Sequence, residues 1–188
     1  MASFFIRTEV PEDIPAIHEV NAVAFAHDDE ARLVDALREN GDFNPELSLV
    51  AVSRDRIIGH ILFPEITIES EEAAVPAVAL APLVVHPDFQ CMGIGRSLIE
   101  VGFEACRDIG YHIVVVVGHP GYYPRYGFSP ASNYGIVAPF EVADDVFMVN
   151  ALIPEALAGV HGRVRYPKAF EMVVGADKNP GRIAKPLS

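Results

Sequence analysis

Along the first half of the chain the spacing of apolar positions changes repeatedly, and each change predicts an element. Phe4–Thr8 reads as a short strand, and a Pro-Glu-Asp entry then leads into a helix whose Ile14, Ile17, Val20 and Val23 fall at helical spacing. Ala31–Glu39 repeats that period through Leu33, Val34 and Leu37, and Asn40-Gly41 supplies its stop. The runs Leu47–Val52 and Ile57–Phe63 are apolar and β-branched, and the polar Ser53-Arg54-Asp55-Arg56 between them predicts a hairpin. An acidic connection around Glu69–Glu72 leads to a further strand, Val75–Val85, then a Gly-rich turn, then a helix from Ile94 to Ile109 ended by Gly110. Ile113–Val117 has no polar position at all, as in a strand buried on both faces, so strand, helix and strand predict a parallel βαβ crossover. Further on, Val146–Leu152, Arg163–Tyr166 and Phe170–Val174 read as strands.

Composition narrows the class without naming a function. The chain has 188 residues, 51% of them apolar, which suffices for one substantial core. We expect a single domain over residues 1–174 and a polar, Pro-containing tail over 175–188. No run reaches the roughly 20 apolar residues of a membrane span, and the opening residues lack a basic leader before a long apolar stretch. Cys91 and Cys106 have no partner at metal-ligand spacing, so no metal is expected and a reducing, cytoplasmic compartment is. A formal charge of −12 with no basic run argues against nucleic acid as a partner.

Chemistry enters at Leu83-Val84-Val85-His86-Pro87-Asp88-Phe89-Gln90-Cys91-Met92-Gly93-Ile94-Gly95-Arg96-Ser97. Two glycines one residue apart at a strand-to-helix turn let a ligand approach the backbone, and the unpaired N–H groups of the helix's first turn suit a pyrophosphate. Gly95 is followed by Arg96-Ser97, where a Walker A loop has Lys-Ser/Thr, and Leu98 stands where a dinucleotide fingerprint has its third glycine. With Gln90, Gly93 and Gly95 spaced in this way, the segment resembles the cofactor loop of the GNAT superfamily of N-acetyltransferases. Residues 80–87 look like that family's fourth strand, Tyr123 to Phe128 looks like its Tyr-x-x-x-Gly-Phe segment, and the element order agrees over most of residues 3–174.

The resemblance implies an α/β (α+β) acyl-CoA N-acyltransferase fold whose mixed central sheet splays between strands four and five, flanked by helices. It implies acetyl-CoA as donor, its pantetheine arm lying in the splay against the backbone of Leu83, Val84 and Val85. The pyrophosphate would then lie over Gln90, Cys91, Met92, Gly93, Ile94, Gly95, Arg96 and Ser97. Pro82 fits an interrupted strand, since proline cannot donate to a ladder. Tyr123 occupies the family's general-acid position, and a phenol, with an ordinary pKa of about 10, carries its proton at neutral pH. The predicted strand before the loop has no acid to serve as base, so the base stays unassigned, with His119, after the next strand, and Glu65 and Glu69 as candidates. The acceptor would be a small-molecule or peptide amine. Asp28, Asp29, Glu30, Glu141, Asp144 and Asp145 stand where the fold builds its acceptor pocket and would favour a polycationic one. A longer acyl donor, a non-catalytic acetyl-CoA-binding module and a homodimer formed through edge strands all remain open.

Overall fold

The computed structural model describes residues 3–174. In chain order the strands and helices are β1 (Phe5–Thr8), α1 (Ile14–Phe25), α2 (Asp29–Asn40), β2 (Ser48–Ser53), β3 (Arg56–Leu62), β4 (Glu65–Glu69), β5 (Ala74–Ala79), β6 (Leu83–Val85), α3 (Ile94–Ile109), β7 (Ile113–Val117), β8 (Ser129–Pro130), β9 (Ile136–Val137), β10 (Phe147–Ala151), β11 (Gly162–Arg165) and α4 (Lys168–Val174). The strands form two sheets, β1-β2-β3-β6 and β8-β10-β7-β5-β4-β11-β9.

One folded ribbon joins the sheets. β3 and β4 form one arm, bent at Phe63-Pro64, and β5 and β6 the other, bent at Leu80–Pro82. The arms pair antiparallel on both sides of the bend, β3 with β6 and β4 with β5. Across it, the Leu62 N–H donates to Pro82 O at 3.1 Å and Ala79 N–H to Pro64 O at 2.9 Å. Two prolines, neither with an N–H to give a ladder, mark where the ribbon turns. β7 then adds parallel to β5 alone, pairing Val78 with Val114 and Ala79 with Val115. That parallel pairing matches the predicted crossover, while β6, the stretch that enters α3, diverges from β7.

α3 packs its stripe of Ile94, Leu98, Ile99, Phe103 and Cys106 into the core on one face of this ribbon. On the other side α1 and α2 are fastened by buried polar bonds as well as by apolar contacts. His60 on β3 meets Asn21 Nδ2 at 3.1 Å and Ser48 Oγ at 2.9 Å, Ser48 donates to Glu9, and Arg38 reaches Glu9 at 2.7 Å. Burial lowers the His60 pKa to about 3, so the imidazole stays neutral and its two nitrogens keep fixed donor and acceptor roles. β3, the strand that pairs with β6, is thereby fastened to α1 and β2.

Three sequence expectations change. The predicted strand Val75–Val85 is two strands separated by the Leu80–Pro82 bend. The acidic connection begins with a strand, β4, whose Ile66 and Ile68 are buried and alternate with Glu65, Thr67 and Glu69. The predicted strand Phe170–Val174 is helix α4, because Pro167 cannot donate to a ladder yet suits a first helical turn, where its carbonyl accepts from Phe170 N–H at 3.1 Å. The tail assigned to 175–188 lies outside the described residues. Among the described residues no helix is long and apolar enough to cross a membrane.

Candidate active site

The open edge of β6 follows from hydrogen-bond alternation. His86 N–H donates to Ile58 O at 2.8 Å and Leu62 N–H to Pro82 O at 3.1 Å, so residues 82 and 86 turn their peptide groups toward β3. Val84, registered opposite His60, does the same. Leu83 and Val85 therefore direct theirs to the other side, into the gap that opens toward β7. The last rung across that gap is Leu80 N–H to Val115 O at 2.8 Å. Beyond it β6 is an edge strand inside the molecule.

At the far end of this edge a cavity of about 680 Å³ is lined by Val85, Gln90, Gly93, Gly95, Arg96 and Tyr126, among others. Gly93 caps α3 with φ at +82°, a conformation that places the helix start directly after the loop and disfavours any residue with a Cβ. The first bond of the helix ladder is Ser97 N–H to Gly93 O at 3.0 Å. The N–H groups of Gly93, Ile94, Gly95 and Arg96 are thus left without partners within the helix, at the positive end of its dipole. This is an anion cradle made of backbone.

The predicted loop residues divide by what they contribute. Ser97 spends its N–H inside the helix, and the Ile94 side chain is buried in the core, so Ile94 offers the cradle only its backbone. Arg96 is turned to Glu100, with its Nε donating at 2.8 Å on the exposed face. Gln90 folds back and gives its side-chain N–H to Val85 O at 3.3 Å, tying the loop to the open edge. Cys91 lines the cavity, whereas exposed Met92 is absent from its lining.

At the near end of the same edge lies a second cavity, of about 800 Å³, lined by Leu83, Tyr122 and Tyr123 among others. Leu83 lines this cavity and Val85 the first, and the Tyr122 ring borders both. Tyr123 opens the 3₁₀ turn Tyr123–Tyr126, which Asn150 holds by donating to Tyr126 O at 2.9 Å. Its ring lies edge-on to Phe128, with centroids 5.6 Å apart, and against Gly118, where a Cβ would stand 2.0 Å from a ring atom. Only glycine at 118 lets Tyr123 occupy this place. Burial, then neighbouring Tyr126, holds the Tyr123 phenol above the usual tyrosine range.

His119 also lines the second cavity, on its exposed side, and its Nδ1 accepts the Gly121 N–H at 3.0 Å. In the neutral ring the proton therefore sits on Nε2. None of Asp28, Asp29, Glu30, Glu141, Asp144 and Asp145 lines this cavity, so the acids singled out in the sequence stand apart from it. Among the described residues its charged ones are Glu69, Glu71, Arg163, Arg165, Lys168 and Glu171. Glu69 accepts from Arg165 at 2.8 Å, and that bond holds its pKa below the usual range. Phe25, Phe140, Tyr166 and Phe170 add aromatic rings to its wall. Sequence reasoning missed these residues because they come from elements far apart in the chain, and no local motif links them.

Comparison with known proteins agrees with this geometry. A family model described as the acetyltransferase (GNAT) family matches residues 14–128. YhbS of Escherichia coli K12, described as an uncharacterized N-acetyltransferase, is 34% identical over 166 residues, covering 88% of this chain and 97% of that protein. The crystal structure of E. coli YhbS in complex with CoA superimposes with a TM-score of 0.85 at 32% identity, covering 91% of this chain and 93% of that one. A GNAT family acetyltransferase from Brucella melitensis in complex with acetyl-CoA gives a TM-score of 0.73 at 31% identity, over 90% and 99% of the two chains. Matched in sequence over more than half its length and in the splayed sheet that carries the site, the chain belongs to the GNAT family of acetyltransferases.

Proposed function

We propose that the chain transfers the acetyl group of acetyl-CoA to a primary amine by direct attack, with no acyl-enzyme. The observation that carries this reading is the continuity of the open β6 edge, which leads from the anion cradle at Gly93–Arg96 to the second cavity at Tyr123. The relatives crystallised with CoA and acetyl-CoA support the donor. Bound there, acetyl-CoA supplies a thioester as the activated acyl group. The backbone N–H groups of the first turn of α3 hold its pyrophosphate, and Leu83 and Val85 offer their outward peptide groups to the pantetheine amides. Gln90 then acts through Val85 O, as an anchor of the loop.

Transfer breaks the C–S bond, forms a C–N bond, removes one proton from the amine and returns one to the sulfur. Tyr123 is the donor to sulfur: it lines the second cavity beside Leu83, and a pKa raised by burial keeps the phenol protonated throughout the working pH range. His119 could accept the amine proton only by giving up the Gly121 bond at Nδ1, so we assign that proton to water at the exposed mouth. The test is thiol release from acetyl-CoA with an amine panel, wild type against Tyr123→Phe. The variant is expected to lose about 10²- to 10⁴-fold in kcat while acetyl-CoA affinity measured by calorimetry is kept. Unchanged kcat would remove Tyr123 from the chemistry. Absence of acetyl-CoA binding to the wild type would overturn the donor.

A further inference from the structure

The acceptor cavity is walled by rings and carries its charges on exposed residues. Phe25 comes from the end of α1, Phe140 from the segment between β9 and β10, Tyr166 from the residue after β11, and Phe170 from α4. The Tyr166 ring stacks on Phe140 with centroids 5.9 Å apart and leans on Phe170 at 4.8 Å. Burial holds the Tyr166 phenol above its usual range, so it adds no charge to this wall. The approach from the donor side is also apolar, made by Ala79, Leu83, Val115 and Val117.

Among the described residues, no buried carboxylate lines the cavity to receive a second ammonium group. Glu69 is occupied by Arg165, and Glu71, Arg163, Lys168 and Glu171 are exposed. A second ammonium group placed deep against the rings would exchange its hydration for ring faces alone, because the lining carboxylates Glu71 and Glu171 stay at the exposed side and Glu69 is held by Arg165. An apolar or aromatic body gains by the same transfer, and at about 800 Å³ the cavity has room for one.

We propose that the acceptor is a primary amine borne on an aromatic body, the amine directed to Tyr123 and the body packed on the Phe140–Tyr166–Phe170 wall. This rests on the acetyltransferase reading above. The same chemistry occurs in free arylalkylamines and in peptides that begin with an aromatic residue. The experiment therefore uses the full chain with acetyl-CoA and four acceptors: phenylethylamine, a tripeptide starting with phenylalanine, putrescine and spermidine. One or both aromatic acceptors should exceed the two polyamines at least tenfold in kcat/KM, and which one leads tells free from peptide-borne amine. Phe140→Ala should raise KM for that acceptor about tenfold and leave KM for acetyl-CoA unchanged; Phe140→Leu, which keeps apolar volume and guards against a folding defect, should raise it less. Acetyl-CoA binding measured alongside separates the two failures. If the donor binds and putrescine or spermidine is preferred, or neither aromatic amine is acetylated, the aromatic-acceptor assignment falls and the donor site stands; if the donor does not bind, both fall.

Discussion

The two ends of the β6 edge are built differently. On the donor side, one continuous segment from Leu83 to Arg96 supplies strand edge, loop and helix start, and most of what it presents is backbone. On the acceptor side, α1, β4, β7, β11, α4 and the loop before β10 each contribute one or a few side chains. A backbone cradle needs only the right conformation, which two glycines and a helix start provide. A side-chain pocket requires the whole tertiary structure to be in place. Substitutions in the first should act locally on donor binding, and those in the second should act on stability and acceptor choice.

The strongest way to sharpen this contrast, after Tyr123→Phe, lies at the α1–α2 elbow beside Phe25. Glu30 is 1% exposed there, its carboxylate lacks a well-aligned hydrogen bond, and His27 Nδ1 stands 3.0 Å away. Burial foremost raises its pKa from 4.5 to about 7. The folded state therefore holds a proton that the unfolded state releases, and stability falls as pH rises from about 4.5 to about 7. Glu30→Gln should accordingly raise Tm by several degrees at pH 8 and hardly at all at pH 4, measured by calorimetry against wild type. An equal gain at both pH values would mean that the carboxylate is not protonated on folding.

A smaller effect is expected at the cradle. Gly93→Ala meets no neighbouring atom within 4 Å, so its cost is that of the left-handed backbone, about 1–2 kcal/mol. Tm should drop by a few degrees and the Kd for acetyl-CoA should rise, with the ranking of acceptors unchanged. A changed ranking would show that the two ends are coupled. Smallest of all is Arg96→Ala: with its guanidinium turned to Glu100, it should shift KM for acetyl-CoA only about two- to threefold, and less at high salt. A tenfold loss would place Arg96 on the phosphates.

What could be read from the sequence follows the same division. The helix Ile94–Ile109, the strand Ile113–Val117 and the Gly93/Gly95 turn were legible because period, stop signal and motif are contiguous. Tyr123, which lines the second cavity, is singled out in the sequence only by its spacing from Phe128. The Leu80–Pro82 bend was half visible: Pro82 signalled an interruption, but the change of pairing partner depends on β4, whose alternation of Ile66 and Ile68 with polar residues is hidden among acids. Pro167 marked the end of one strand, yet local pattern did not show that the apolar run after it is helical. The aromatic wall had no local signal, since nothing near Phe25 in the sequence announces Phe140, Tyr166 or Phe170.

The central claim, that the donor lies along the open edge of β6, is tested most directly by amide hydrogen exchange resolved at Leu83, Val84 and Val85, with and without saturating acetyl-CoA. Val84 is already paired with β3, so its protection should scarcely change, while Leu83 and Val85 should become protected. No added protection at Leu83 and Val85, with acetyl-CoA shown to be bound, would contradict the account and place the donor elsewhere on the molecule.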